Sequence, residues 1–365
     1  MTCGDLVKAM AMESKPKSFG ILVEGFRIGN VAILSGAGLS TESGIPDYRG
    51  PSGQARRTGS PMTYQEFTGS AGARQRYWAR SHLGWRHVTG AAPNAGHQAV
   101  AALQRAGLLS GIITQNVDGL HQAAGAPAVT ELHGSLHRVV CLSCWSRSSR
   151  EELDARLRAA NPAWTAAGIE PAVNPDGDVA LEETDGFTVV NCLACGGLLK
   201  PDVVFFGENV PRSRVEACFS LVSSSSALVV LGSSLTVMSG LRYVRHASSL
   251  GIPVVIVNQG ATRGDPLATA TLDAPLGSTL TALLRELGLV GSHRLALVGC
   301  CQKARSAWAR ATVVLSSFRN TRERSAVYRT DGADTDRAAS GSPARPRTHR
   351  PMAQTPDSDS WMFSA

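Results

Sequence analysis

No stretch of this 365-residue chain reaches the roughly 18 consecutive apolar residues that a membrane-crossing helix needs, so no span is expected. The first twenty residues, MTCGDLVKAMAMESKPKSFG, carry both signs of charge and no apolar core, which excludes a secretory signal. They also match poorly to an arginine-rich, acid-poor mitochondrial presequence. There is no internal repeat. The eight cysteines lack the spacing of a disulfide framework: Cys3, Cys218, Cys300 and Cys301 are scattered, and the rest form two C-x-x-C pairs. Paired C-x-x-C in a chain of this size points to metal in a reducing compartment. The net charge of +7, with an isoelectric point near 9.2, lacks clustering, and much of it is arginine near the C-terminus. Scattered charge argues for solubility or a general preference for anions, not a specific nucleic-acid site. One glycine is missing as well. Gly36-Ala37-Gly38 follows the apolar run Val31–Leu34, but the usual dinucleotide loop has a third glycine where this chain has Thr41.

What is present suffices for a sizeable core: 43% of residues are hydrophobic and 18% charged. Buried strands are expected at Val31–Leu34, Gly111–Thr114, Ala227–Leu231 and Ile252–Val257, with shorter extended pieces at Val129–His133 and Asp202–Phe206. Helices are expected at Asn94–Gln104, Gly119–Ala124, Arg212–Ser223, Leu241–Leu250 and Thr279–Leu287, and the lead-in before residue 30 is partly helical. Residues 50–95 read as a mobile loop passing into short helices. Apolar strands alternating with helices predict an α/β fold, a doubly wound parallel sheet covered on both faces. Polar loop residues recur at the carboxyl ends of those strands, the edge where open α/β sheets bind ligands. Beyond about residue 318 the composition turns to Arg, Ser, Asp, Pro and Gly, which reads as disorder.

Seven groups of residues carry candidate chemistry. The small-residue loop Gly36, Ala37, Gly38, Ser40, Thr41, Ile45, Pro46, Asp47, Tyr48 and Arg49 allows backbone N–H groups close to a phosphate if a helix follows it. Gln115, Asn116, Val117 and Asp118 make a polar turn after a strand, more polar than helix capping alone requires. His133 ends another strand piece, where an imidazole poised near neutral pH can act as a general base or serve only structure. Gly232-Ser233-Ser234 and Asn258-Gln259-Gly260 follow apolar strands; they suit ribose and pyrophosphate, and equally suit ordinary turns. Cys141, Cys144, Cys192 and Cys195 form two knuckles that together make a closed tetrahedral zinc site, structural because sulfur fills all four positions. The interval between the pairs, residues 145 to 191, is 47 residues, longer than a simple zinc ribbon. Tyr77 and Arg80 lie one helical turn apart, either to hold a carboxylate or as an arginine packed over a ring.

Together, Gly36–Arg49, Thr114–Asp118, Glu131–Gly134, both C-x-x-C pairs, Lys200–Glu208, Gly232–Leu235 and Asn258–Gly260 resemble the sirtuin family of NAD-dependent protein-lysine deacylases, in family order across residues 25 to 290. Tyr77-Trp78-Ala79-Arg80, Pro175-Asp176-Gly177-Asp178 and the long interval between cysteine pairs resemble the class II branch, which contains the mitochondrial sirtuin-4 group.

The resemblance implies a Rossmann-like NAD domain (31–136 and 201–290) and a small zinc-binding domain (137–200, with 50–95 as a helical lid insertion). A lead-in (1–30) and a C-terminal tail (291–365) flank them. It implies NAD and one structural zinc as cofactors and acylated-lysine proteins as substrates, in the mitochondrial matrix or otherwise the cytoplasm. The acyl-lysine oxygen would attack the nicotinamide ribose, and nicotinamide would leave. His133 would then act as base on the ribose hydroxyls, so that O-acyl-ADP-ribose and lysine are released. Asn116 would position ribose and water, and Asp118 would serve the nicotinamide pocket. The loop from Gly36 to Arg49, the strand-end residues and Leu276 would hold the rest of NAD. Val204, Phe205, Phe206 and Gly207 would offer a strand edge to an extended peptide, and Tyr77 and Arg80 would select branched or acidic acyl groups. Ser233 departs mildly from a common Thr, and Leu276 from a small residue. The alternatives are a mono-ADP-ribosyltransferase, a non-enzymatic interaction protein, and a zinc-ribbon nucleic-acid binder.

Overall fold

The computed structural model describes residues 17–48, 50, 61–164, 179, 181 and 184–290. Arg49, the Pro175–Asp178 segment and the tail beyond residue 290 lie outside the described residues. The strands are β1 (Val31–Ser35), β2 (Leu109–Thr114), β3 (Val129–Glu131), β4 (Gly134–Cys141), β5 (Arg147–Ser149), β6 (Leu199–Val203), β7 (Ala227–Leu231), β8 (Val254–Asn258) and β9 (Ala270–Asp273). The helices are α1 (Lys17–Ile28), α2 (Tyr64–Gly69), α3 (Ala71–Gly90), α4 (Ala95–Arg105), α5 (Leu120–Ala123), α6 (Arg150–Ala160), α7 (Arg212–Ser223), α8 (Met238–Ser249) and α9 (Leu276–Glu286).

Six strands form one parallel sheet in the order β3-β2-β1-β7-β8-β9. Its central strands β1 and β7 are buried at every residue, because helices cover both faces. That is why they read as unbroken apolar runs and not as alternating ones. The chain runs outward from β1 through β2 to β3, then returns to lay β7, β8 and β9 on the other side of β1. The reversal falls between β1 and β7, so the loops leaving those strands splay apart around a crevice.

A second, antiparallel sheet, β5-β4-β6, carries the cysteine knuckles. Its core is aromatic: Phe67, Trp78, Trp85 and Phe187 pack with Val139 and Leu153. Arg150, 1% exposed, is sandwiched with its guanidinium carbon 5.5 Å from the Trp78 ring and 5.0 Å from Trp85. Its Nη1 donates to Asp154 at 3.4 Å, so the buried charge is paired.

Three expectations need correction. The region before residue 95 holds one 20-residue helix, α3, beside the short α2. Capping residues separate the two: Thr63 and Glu66 form a capping box at the start of α2, and Ser70 accepts from Ala73 N at the start of α3. Strand β9 was not expected, because its buried Ala270 and Leu272 alternate with exposed residues and leave no apolar run. Among the described residues, no α-helix directly follows the glycine loop. Two 3-10 turns, Ala37–Leu39 and Thr41–Ser43, stand there instead, and Thr41 Oγ1 donates back to Gly38 O at 3.0 Å.

Candidate active site

The crevice between the β1 and β7 ends opens into a cavity of about 580 Å³. Its first wall is the loop after β1. Gly36, Ala37, Gly38, Ser40, Thr41, Ile45, Asp47 and Tyr48 line it, whereas Pro46 does not. The glycines have a packing reason distinct from phosphate approach. A Cβ on Gly36 would lie 2.7 Å from Ser233 Cβ, and one on Gly38 would lie 2.9 Å from Gly232 Cα. The β1 and β7 loops therefore interlock backbone to backbone, joined by Gly38 N donating to Gly232 O at 2.8 Å.

The second wall is the turn after β2: Gln115, Asn116, Val117 and Asp118. Asn116 Nδ2 donates to Gly36 O at 3.1 Å and to Ser40 Oγ at 3.0 Å. Ser40 Oγ donates to Asp118 Oδ2 at 2.6 Å, and Asp118 Oδ1 accepts from Leu120 N at 2.9 Å, an Asx turn at the entry to α5. Asp118 thus both sets the turn into α5 and lines the cavity, 7% exposed. Behind this wall sit two buried imidazoles. His121 Nε2 meets Ser35 Oγ at 2.8 Å, and the His97 and His121 rings lie 5.2 Å apart, nearly perpendicular. Their Nδ1 atoms have no partner among the described residues. Burial lowers the His97 pKa to about 4, and burial with the neighbouring His97 lowers that of His121 to about 3.

His133 closes the third side. Its Nδ1 lies 2.9 Å from Gln115 O and its Nε2 2.8 Å from Ser239 Oγ. Burial lowers its pKa to about 4, helped by Arg214 and Arg242, so the ring is neutral at pH 7. The residue after it, Gly134, has φ +86°, which lets the chain turn from the wall into β4.

The fourth wall holds Val204, Phe205 and Phe206, with Leu235, Thr236 and Val237 also lining the cavity. Val204 N donates to His133 O at 2.8 Å, tying this segment to the histidine. Phe206 O accepts from Tyr64 N at 2.9 Å and Gly207 O from Gln65 Nε2 at 3.2 Å. Gly207 itself does not line the cavity. Glu208 accepts from Phe205 N at 2.9 Å and from the buried Lys200 at 3.0 Å, which braces the turn. Tyr77 reaches the cavity and packs at 5.2 Å from Phe205. Arg80, one turn along α3, does not line it; its Nε donates to Leu181 O at 2.8 Å. Spacing put Tyr77 and Arg80 on one face, but their side chains go to different places. The far end of the cavity is lined by Gly232, Ser233, Ser234, Asn258, Gln259, Gly260 and Leu276.

Glu42, Met62, Leu136, Ser239, His97 and His121 escaped the sequence reading. Glu42 Oε1 accepts from Gly277 N at 3.0 Å, fastening the β1 loop to the start of α9. Nothing around these residues in sequence marks them; His97 and His121 sit in the first turns of α4 and α5 with no local pattern that pairs them.

The four cysteine sulfurs lie within 4.8 Å of one another, with Cys141–Cys195 at 3.5 Å and Cys144–Cys192 at 3.8 Å. A tetrahedron of sulfurs around zinc at about 2.3 Å has edges of about 3.8 Å, so the donor set fits that ion.

An open parallel sheet with a mixed polar and apolar cavity at its switch point, beside a four-thiolate metal module, defines a nucleotide-dependent α/β enzyme with a structural zinc site. The Sir2 family profile matches residues 36–239. The chain is 61% identical over 273 residues, 73% of its length and 89% of the relative's, to NAD-dependent protein deacetylase 1 of Streptomyces coelicolor. It is 46% identical, over 71% of its length and 89% of the relative's, to the Batrachochytrium dendrobatidis protein named NAD-dependent protein deacylase SIR4. A solved complex of Sir2 with a p53 peptide and NAD+ superposes with a TM-score of 0.57 at 30% identity, covering 71% of this chain and 94% of that one. The chain belongs to the Sir2 family, the sirtuins.

Proposed function

We propose that the chain is an NAD-dependent protein-lysine deacylase that moves an acyl group from lysine to ADP-ribose and releases nicotinamide. The observation that carries this is His133: a neutral, half-buried imidazole on the cavity wall, its tautomer fixed by Gln115 O, tied through its own carbonyl to the segment Val204–Phe206. A base and a peptide-binding edge are thereby held together by one residue.

The cavity's size is within the range that binds small molecules and cofactors. NAD, when bound, supplies an electrophilic ribose carbon with nicotinamide as leaving group. The chain's residues divide the work around it. Gly36, Ala37, Gly38, Ser40, Thr41, Asp47, Tyr48 and Arg49 hold its phosphate and ribose portion, with Gly232, Ser233, Ser234, Asn258, Gln259, Gly260 and Leu276 at the far end. Asn116 and Asp118, fixed through Ser40, shape the nicotinamide end. An extended peptide lies between Val204–Phe206 and Thr236–Val237, and its acyl-lysine reaches toward Tyr77, Leu136 and Phe205. His133 Nε2 takes a proton from a ribose hydroxyl, making its oxygen a nucleophile.

The cavity end near Tyr77 lacks the Arg80 guanidinium, whose Nε is engaged by Leu181 O. We therefore expect neutral acyl groups, straight or branched, to be removed in preference to dicarboxylic ones. We read the finer placement as the class II, sirtuin-4-like branch, supported by Tyr77-Trp78-Ala79-Arg80 and by the likeness to the fungal deacylase. The mitochondrial matrix is the compartment that branch suggests, with the cytoplasm as alternative; fractionation decides between them. ADP-ribose transfer onto protein would use the same cavity.

The deciding experiment incubates the protein with labelled NAD and peptides bearing acetyl, branched and dicarboxylic acyl-lysine. Free O-acyl-ADP-ribose and nicotinamide are expected; label retained on protein would favour the transferase. No nicotinamide release with any peptide, by wild type and His133→Ala alike, would end the enzyme reading.

A further inference from the structure

Both ring nitrogens of His133 have partners inside the protein. Gln115 offers a carbonyl oxygen, which can only accept, so the hydrogen sits on Nδ1. Nε2 is then the bare nitrogen, and the Ser239 hydroxyl, 2.8 Å away, donates to it. Ser239 occupies the first turn of α8 and is 1% exposed. It does not line the cavity, whereas His133 does.

The same turn is pressed against the other partner of the ring. A Cβ on Gly240 would lie 2.6 Å from Gln115 Oε1, and Gln115 Nε2 donates to Ser233 Oγ at 2.8 Å. The imidazole is thus held at both nitrogens by two elements locked to each other. With Gln115 alone, the ring could swing about its single Nδ1–H bond. Ser239 fixes the plane, and with it the direction of the Nε2 lone pair.

We propose that Ser239 is a positioning residue for His133, holding the imidazole plane and the Nε2-acceptor form in which it meets the substrate hydroxyl. The proposal rests on the reading of His133 as general base. A serine hydroxyl can both donate and accept. At rest it donates to Nε2. When a ribose hydroxyl enters, the Ser239 O–H first turns off the single Nε2 lone pair; the ribose O–H bond then breaks, its electron pair staying on the ribose oxygen, an Nε2–H bond forms, and the Ser239 oxygen accepts from the new N–H. Ser239 exchanges no proton with solvent and touches no substrate.

The test compares wild type, Ser239→Ala and Ser239→Thr. In Ser239→Ala, acyl-lysine turnover should fall about tenfold, within the range general-base positioning supplies. Nicotinamide release in the first step, which needs no base, should stay within about twofold. Ser239→Thr, which keeps the hydroxyl, should recover most of the turnover. Independently of activity, the ¹⁵N resonance of His133 Nε2 in the ligand-free protein should move downfield in Ser239→Ala as its hydrogen bond is lost. Wild-type turnover in Ser239→Ala, or an unmoved Nε2 resonance, overturns the proposal. A wild type that releases no nicotinamide fails differently: it removes the deacylase reading and the kinetic role with it, while the resonance still reports whether Ser239 holds the ring.

Discussion

Lowering the pH from 7 to 5 should cost this fold about 4 kcal/mol through two histidines that never meet solvent. His97 and His121 are 0% and 1% exposed, and each has an Nδ1 without a partner among the described residues. Folded, they are neutral, with pKa values near 4 and 3; unfolded, each returns to the ordinary value of 6.5. Below pH 6.5 the unfolded chain therefore binds more protons than the folded one, and stability falls as pH falls. The loss begins near pH 6.5 and continues down to the folded values. At pH 5 each histidine contributes about 2 kcal/mol of destabilisation, from 1.36 kcal/mol per unit over about 1.5 units. A pair sum of about 4 kcal/mol is a large share of the 5–15 kcal/mol typical of a domain. The assay is urea unfolding in zinc-saturated buffer at pH 7 and pH 5, followed by tryptophan fluorescence, for wild type and the His97→Gln/His121→Gln double variant. The wild type should lose about 4 kcal/mol more than the variant between the two pH values. Equal losses in both would refute the reasoning, since other titrating groups are common to the two proteins.

Other outcomes follow from the site and its supports. Because burial and the nearby arginines hold His133 near 4, kcat/KM should stay flat from pH 7 to about pH 5.5, where an ordinary histidine would be about 90% protonated; an acid limb near 6.5 would contradict this. Chelating the metal should unfold the β5-β4-β6 module, seen as lost thermal stability; intact stability with lost activity would make the zinc catalytic instead. Gly38→Ala should destabilise by about 2 kcal/mol and weaken NAD binding, since its Cβ would press on the Gly232 backbone; calorimetry reads both, and an unchanged melting temperature would show that the loops can part. Lys200→Met should raise the peptide KM severalfold while leaving NAD affinity alone, because Lys200 acts on the substrate segment through Glu208.

Much of the architecture was legible in sequence because its signals are local. The runs Val31–Leu34 and Ala227–Leu231 announced buried parallel strands, α7 was bounded correctly, and the helix expected over Asn94–Gln104 stands at Ala95–Arg105 with Asn94 as its cap. The paired cysteine spacings fixed the zinc site, since each knuckle is defined within four residues. For the glycines after β1 the sequence shows only one of two neighbours, the cavity they line and not the backbone they pack on. Their need for space comes from the loop after β7, nearly two hundred residues on, which no local pattern reveals.

By itself the sequence determined the sheet's central strands, the metal ligands and the residues that gather at the strand ends. Tertiary structure alone decided how those residues are held. Arg80 turned to Leu181 O because a carbonyl 101 residues away stood within its reach. His133 gained Ser239 across 106 residues, and Ser40 gained Asp118 across 78. A period or a spacing records which face a side chain takes on its own element. Which partner it meets, and so which nitrogen of His133 can take a proton, depends on elements that only the folded sheet brings together.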